Sequence, residues 1–110
     1  MKVIYIAGPY SGEDIYDVHC NIQEAERYAA MVWEMGAAAL CPHKNTAYMD
    51  GVVCYDQFLA GCIEMMNRCD AVWFIQCYEK SPGAMKERAW ADIPCFTMHN
   101  EVLHFIQGKK

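Results

Sequence analysis

The stretch "DAVWFIQCYEKSPGAMKE", residues 70–87, joins an apolar run to a Ser-Pro-Gly turn and puts a glutamate about a turn and a half into the segment that follows. The run "AVWFI" is short and rich in β-branched and aromatic residues, which reads as a strand buried on both faces. Ser81 is a good helix N-cap, and Pro82 suits the first helical turn, where its missing N–H costs nothing. The helix that starts there is expected to continue to about Asp92. A buried strand feeding a helix is half of a parallel βαβ unit, so the fold depends on whether the rest of the chain repeats that unit.

The rest does repeat it. "KVIYIA" (2–7) is a second buried strand, stopped by Gly8-Pro9. Over 18–35, Ile22, Ala25, Ala29, Val32 and Met35 recur at three- and four-residue steps, with Gly36 where a helix C′ residue belongs, so an amphipathic helix follows. "AAALCP" (37–42) is a weaker strand ended by Pro42, and a polar loop, "HKNTAYMDG", comes after it. Phe58, Leu59, Cys62, Ile63 and Met66 mark a helix from about Asp56 to Asn67, "IPCFTM" (93–98) is a short strand, and "NEVLHFIQG" ends the chain as a helix. Four β-α pairs predict a parallel sheet with helices on both faces. A strand order of 2-1-3-4 puts the topological switch between the first and third strands, and ligands bind outside the carboxyl ends of the strands at such a switch.

The bulk numbers fit one domain spanning 1–110. A hydrophobic content of 55% is ample for a single core. A net charge of −5 and scattered basic residues give no stripe that could track a nucleic-acid polymer, although a small anion could still be held by local donors. The N-terminal apolar run is too short for a signal h-region or a membrane span, so a cytoplasmic protein with no membrane partner is expected. Seven cysteines with no CxxC pair read as reduced thiols, and Cys41, His43, Cys69 and Cys77 have no recognised zinc-ligand spacing, so neither metal nor cofactor is expected.

Two loops leave the strands at the switch. The first, "GPYSG", offers Gly8, Pro9, Tyr10, Ser11 and Gly12, with Tyr5 still on the strand. Its glycines permit close backbone approach, and exposed N–H groups can grip an anion or a sugar hydroxyl; a tight strand-to-helix connection would look the same. In the second, Ser81, Gly83 and the free N–H groups of a helix start make a candidate phosphate cradle, or Ser81 is a cap and Gly83 a packing residue. Glu87 shares a helical face with Ala84 and Ala91, while Lys86 and Arg88 point about 100° to either side. Asp56, at the start of the preceding helix, is a second acid that could face the same crevice. Two carboxylates are what substitution at a glycosidic carbon needs, one attacking and one assisting the leaving group. His43, following the second strand, is a candidate substrate contact.

In order along the chain, "IYIAGPYSG", "NIQEAERYAA", "CPHKNT", "YDQFLAGCIEMMNRCDAV" and "SPGAMKERAWADIPCF" resemble the nucleoside 2-deoxyribosyltransferase-like family, closest to its small bacterial and phage-type members. The resemblance covers about residues 3–97. It implies a flavodoxin/Rossmann-like three-layer α/β sandwich, with a parallel sheet of four to five strands ordered 2-1-3-4 and any fifth strand beyond the fourth. It also implies chemistry at the N-glycosidic bond of nucleosides or nucleotides. Gly83-Ala84-Met85-Lys86-Glu87 keeps the family's glycine-to-glutamate spacing, so the resemblance implies that Glu87 attacks C1′, that Tyr5 orients it, and that Asp56 assists base departure. Ser81, six residues before Glu87, is similar to the phosphate-contacting serine of the related 2′-deoxynucleoside 5′-phosphate N-hydrolases; transferases tend to have aspartate there.

The chain departs from those hydrolases at Pro9, where they carry a serine, and from many relatives at Ala89, where they carry a glycine. The family often completes its site with a second subunit, so a homodimer or higher homo-oligomer is expected. The reading is thus hydrolysis of a 2′-deoxynucleoside 5′-monophosphate or nucleoside. Base exchange by a deoxyribosyltransferase, or a non-catalytic nucleotide-binding module, stand as alternatives.

Overall fold

The structure, a computed structural model, describes residues 1–108. Its sheet has four parallel strands in the order β2-β1-β3-β4: β1 Val3–Ala7, β2 Ala38–Leu40, β3 Ala71–Phe74 and β4 Cys95–Phe96. This is the predicted order, and the sheet stops at four strands among the described residues. The helices are α1 Ile15–Glu34, α2 Pro42–Asn45, α3 Tyr55–Asn67, α4 Pro82–Trp90 and α5 His99–Ile106, with a 3-10 turn at Tyr78–Lys80.

Side chains alternate across a strand, and here the alternation sorts the core into two layers. Ile4, Ile6, Trp73 and Ile75 face one side, packed with Ala25, Ala29 and Val32 of α1 and Val102 of α5. Tyr5, Ala7, Val72 and Phe74 face the other, packed with Met66, Cys62 and Ile63 of α3. Because β1 and β3 are buried on both faces, they lack the apolar/polar alternation of a one-sided sheet, which is why both read as continuous apolar runs. The pairing Tyr5↔Val72 and the Ile75 N–H donating to the Ala7 carbonyl at 2.9 Å carry the two central strands to a common carboxyl edge.

Local chemistry sets the element ends. Helix α1 begins at Ile15 rather than near Val18 because Asp14 caps it, its carboxylate accepting from the Asp17 N–H at 2.9 Å, while Asp17 accepts in return from the Glu13 N–H at 3.0 Å. Gly36, at φ +89°, stops it as expected. Helix α4 ends at Trp90, two residues before the expected end, because Asn67 at the end of α3 takes over its terminus: Asn67 donates to the Trp90 carbonyl at 3.1 Å and accepts from the Asp92 N–H at 2.8 Å. The loop after β2 holds the four-residue helix α2, opened by Pro42, which is too short to show a periodic signature. Among the described residues no helix is long and apolar enough to cross a membrane.

Candidate active site

At the carboxyl edge, between the loops that leave β1 and β3, lies a cavity of about 560 Å3, within the range that holds small organic ligands. Glu87 stands in its wall, on the sixth residue of α4. That depth carries it below the rim and leaves it 7% exposed. The fully buried Tyr5 reaches it from β1, and its hydroxyl donates to Glu87 Oε2 in a short hydrogen bond. No hydrogen bond engages Oε1 among the described residues, and it is not a sealed-off orphan, so it is the oxygen available to the cavity.

Two effects compete over the Glu87 proton. Burial penalises the charged form and raises the pKa, while the Tyr5 hydrogen bond favours the carboxylate and lowers it. Burial wins, and the group is pushed up to about 7 from its ordinary 4.5. Tyr5 is held far above the usual phenol range, first by burial and then by the adjacent Glu87, so it stays a donor. The result is a carboxyl group oriented by a neutral phenol, with its pKa raised toward neutral pH, a state suited to a nucleophile or a general acid/base.

Helix α4 is held at the cavity mouth by its cap. Ser81 Oγ accepts from the Ala84 N–H at 3.2 Å, and the Ser81 carbonyl accepts from the Met85 N–H at 3.0 Å. Pro82 has no N–H, so Gly83 supplies the N–H of this helix start that no bond claims among the described residues. Ser81 is therefore an N-cap that also lines the cavity. Gly83 serves packing as well: a Cβ there would meet the Tyr55 hydroxyl at 2.9 Å. Lys80 and Lys86, on either side of Gly83 in sequence, also line the cavity.

On the β2 side, Pro9, Tyr10, Ser11 and His43 line the cavity. His43 is 4% exposed and bonds the Pro9 carbonyl through Nε2 at 2.8 Å. A carbonyl only accepts, so Nε2 carries the proton. Burial lowers the His43 pKa, and its buried Nδ1 has no partner among the described residues. The Tyr10 ring lies 5.8 Å from it, and the Tyr10 hydroxyl donates to Asp50 Oδ1 at 3.3 Å. Asn21 of α1 donates to the Tyr10 carbonyl at 3.0 Å and fixes this loop. Gly8 borders the cavity, but its lack of a side chain also serves packing, since a Cβ would lie 2.4 Å from Ile75 Cγ1.

Two expected contacts stand elsewhere. Asp56 is exposed and does not line the cavity, whose α3 side is made by Tyr55, Phe58, Leu59 and Cys62; the second acid in the wall, with Glu87, is Asp50, from the loop before α3. Gly12 is also off the wall, and its lack of a Cβ makes room for Asp17, 2.2 Å from where that atom would sit. Besides Asp50, the sequence reading missed Tyr55, Cys62, Lys80 and Lys86. Cys62 was visible only as part of the stripe Phe58, Leu59 and Cys62, whose apolar spacing looks like core. No group of three or more His, Cys, Asp or Glu side chains among the described residues could hold a metal ion.

Residues 2–96 match the family described as a domain of unknown function (DUF4406). No curated protein matches the chain. Among solved structures, it is similar to a 2-deoxyribosyltransferase from the psychrotolerant bacterium Bacillus psychrosaccharolyticus, with a TM-score of 0.53 and 17% identity over 79% of this chain and 62% of that one. At that identity the likeness is one of fold, a distant nucleoside deoxyribosyltransferase-like fold, and the chain spans less than two thirds of that enzyme's length.

Proposed function

The chain belongs to the DUF4406 family, and for this member we propose cleavage of the N-glycosidic bond of a 2′-deoxynucleoside 5′-monophosphate or nucleoside, with water as the acceptor. The observation that carries this reading is the buried Glu87, bonded through one oxygen to Tyr5, with its other oxygen open to a cavity at the switch point. Glu87 Oε1 attacks C1′ as the C1′–N bond breaks, and the departing base keeps the electron pair and takes up a proton. Water then attacks C1′, loses a proton, and returns Glu87 as a carboxylate. Tyr5 stabilises the carboxylate before attack. Tyr10, Tyr55 and Phe58 offer the base an apolar wall, and Asp50 takes the leaving-group side that Asp56 does not reach.

A phosphorylated substrate is favoured by the Gly83 N–H, the Ser81 hydroxyl, Lys80 and Lys86 on one side of the cavity. Two other readings each have one observation behind them. Base exchange is supported by the similarity to a protein named as a 2-deoxyribosyltransferase. A non-catalytic nucleotide-binding module would also leave Asp56 exposed, with one acid, not two, deep in the cavity.

The test is a panel of nucleosides and 5′-monophosphates scored for free base by chromatography, with and without a second free base. Hydrolysis gives deoxyribose or its phosphate, with monophosphates cleaved faster than nucleosides. A new nucleoside identifies transfer. Nucleotide binding by calorimetry with no base released from any substrate rejects both enzyme readings.

A further inference from the structure

The loop that leaves β1 has three successive carbonyls, and side chains outside the loop claim all of them. His43 Nε2 bonds the Pro9 carbonyl at 2.8 Å, and Asn21 Nδ2 donates to the Tyr10 and Ser11 carbonyls at 3.0 and 3.3 Å. Among the described residues no peptide bond is cis, so each peptide plane turns its N–H opposite to its C=O. The Tyr10 carbonyl faces Asn21 on α1, a helix that packs on the sheet face opposite to Tyr5 and puts no residue in the cavity wall. The Ser11 N–H therefore points away from α1, to the side of the loop that borders the cavity, and no bond claims it among the described residues. We propose that Asn21 is a positioning residue: by holding the Tyr10 and Ser11 carbonyls it aims the Ser11 N–H at a sugar hydroxyl of the substrate.

Charge selects what that N–H can hold. Asp50 is in the wall and is tied to the same loop by the Tyr10 hydroxyl, and Glu13, Asp14 and Asp17 follow soon after Ser11. A phosphate there would meet carboxylates, whereas the cations of the wall, Lys80 and Lys86, come with the segment that leaves β3. An uncharged oxygen suits Ser11, and a hydroxyl accepts from an N–H without bringing a charge. Asn21 itself stays behind the loop, since its side-chain NH2 has two donors and both are spent on the adjacent carbonyls. It acts on the ligand only through the backbone that it turns.

The inference rests on the Glu87 reading for its substrate and deepens it by naming the group that the first loop takes. Its test needs no turnover: backbone-amide NMR of the whole protein, titrated with 2-deoxyribose 5-phosphate and, separately, with inorganic phosphate. In wild type the sugar phosphate should shift the Ser11 amide, and inorganic phosphate should leave it unmoved. Asn21→Ala and Asn21→Leu remove the donor without changing the charge. In each, affinity for 2-deoxyribose 5-phosphate should fall about tenfold, while that for inorganic phosphate stays within about twofold. A merely structural role would move both affinities alike. If one variant fails to fold, the other and the wild-type titration carry the comparison. A Ser11 amide unmoved by the sugar phosphate, an equal response to inorganic phosphate, or a folded variant that binds the sugar phosphate as tightly as wild type overturns the proposal. If wild type releases no base, the reaction reading fails while the titration still decides the role of Asn21.

Discussion

Helices α3 and α4 both start at the carboxyl edge of the sheet, and each carries an acid near its start, yet Glu87 is 7% exposed whereas Asp56 is open to water. Asp56 is the second residue of its helix, at the rim, where water solvates it. Glu87 is the sixth, far enough down to lie between α4 and β1, where only Tyr5 replaces the lost water. The pair shows that burial against a neighbouring strand, set by the helix face a residue occupies as well as by its place along the axis, decides which carboxylate becomes chemically unusual.

The hardest test of that difference is loss of the acid. Glu87→Ala should lower base release by at least about a thousandfold, measured by chromatography under saturating substrate, because the attacking atom is gone. Residual turnover within about tenfold of wild type would place the chemistry elsewhere. The stability of Glu87→Gln comes next. The folded pKa is about 7 against an ordinary 4.5, so the folded protein binds the proton more tightly. The proton-linked stability is present below about pH 4.5 and is lost as pH rises through 7. The amide in Glu87→Gln never ionises, so chemical denaturation should find the variant more stable than wild type by on the order of 3 kcal/mol at pH 8, with the advantage fading toward pH 4.

Tyr5→Phe removes the bond that lowers the Glu87 pKa, so the pH–rate profile should shift to a midpoint above 7. Turnover should drop by about 10- to 100-fold at pH 6 and recover in part by pH 9. A profile unchanged in shape would mean that the phenol does not orient the acid. The smallest effect belongs to the rim. Asp56→Asn should change turnover by less than about twofold, while Asp50→Asn, on the cavity wall, should cost more, roughly 3- to 30-fold. A loss in Asp56→Asn that matched Tyr5→Phe would break the contrast between the two helices.

The sequence made the centre of the molecule legible and its periphery less so. β1 and β3 are apolar at every core position, so their existence, and with them the 2-1-3-4 order and the switch point, could be read directly. Tyr5, Ser81, Gly83, His43 and Glu87 come to the cavity because they sit on or next to those strands or follow an adjacent one. The place of Asp56 off the wall could not be read, because a helix-start assignment gives a position along the axis but not which side of the rim the side chain takes. Asp50, in a loop whose path depends on Tyr48 at φ +64° and Gly51 at φ +85°, had no periodic signal at all. The Asp14 cap, with Asp17 accepting from the Glu13 N–H, could have been read, since an acid at the cap position followed by another three residues on is a local pattern.

Gly8 and Ile75 directly follow the two central strands on either side of the switch, and the space between them is already full. The two positions must therefore change together over a lineage: a side chain at 8 is tolerable only where the residue at 75 has become smaller. Among diverged copies of this chain they should appear as a covarying pair, and in directed evolution of the cavity a library that varies position 8 alone will be filtered for folding before it is ever filtered for specificity.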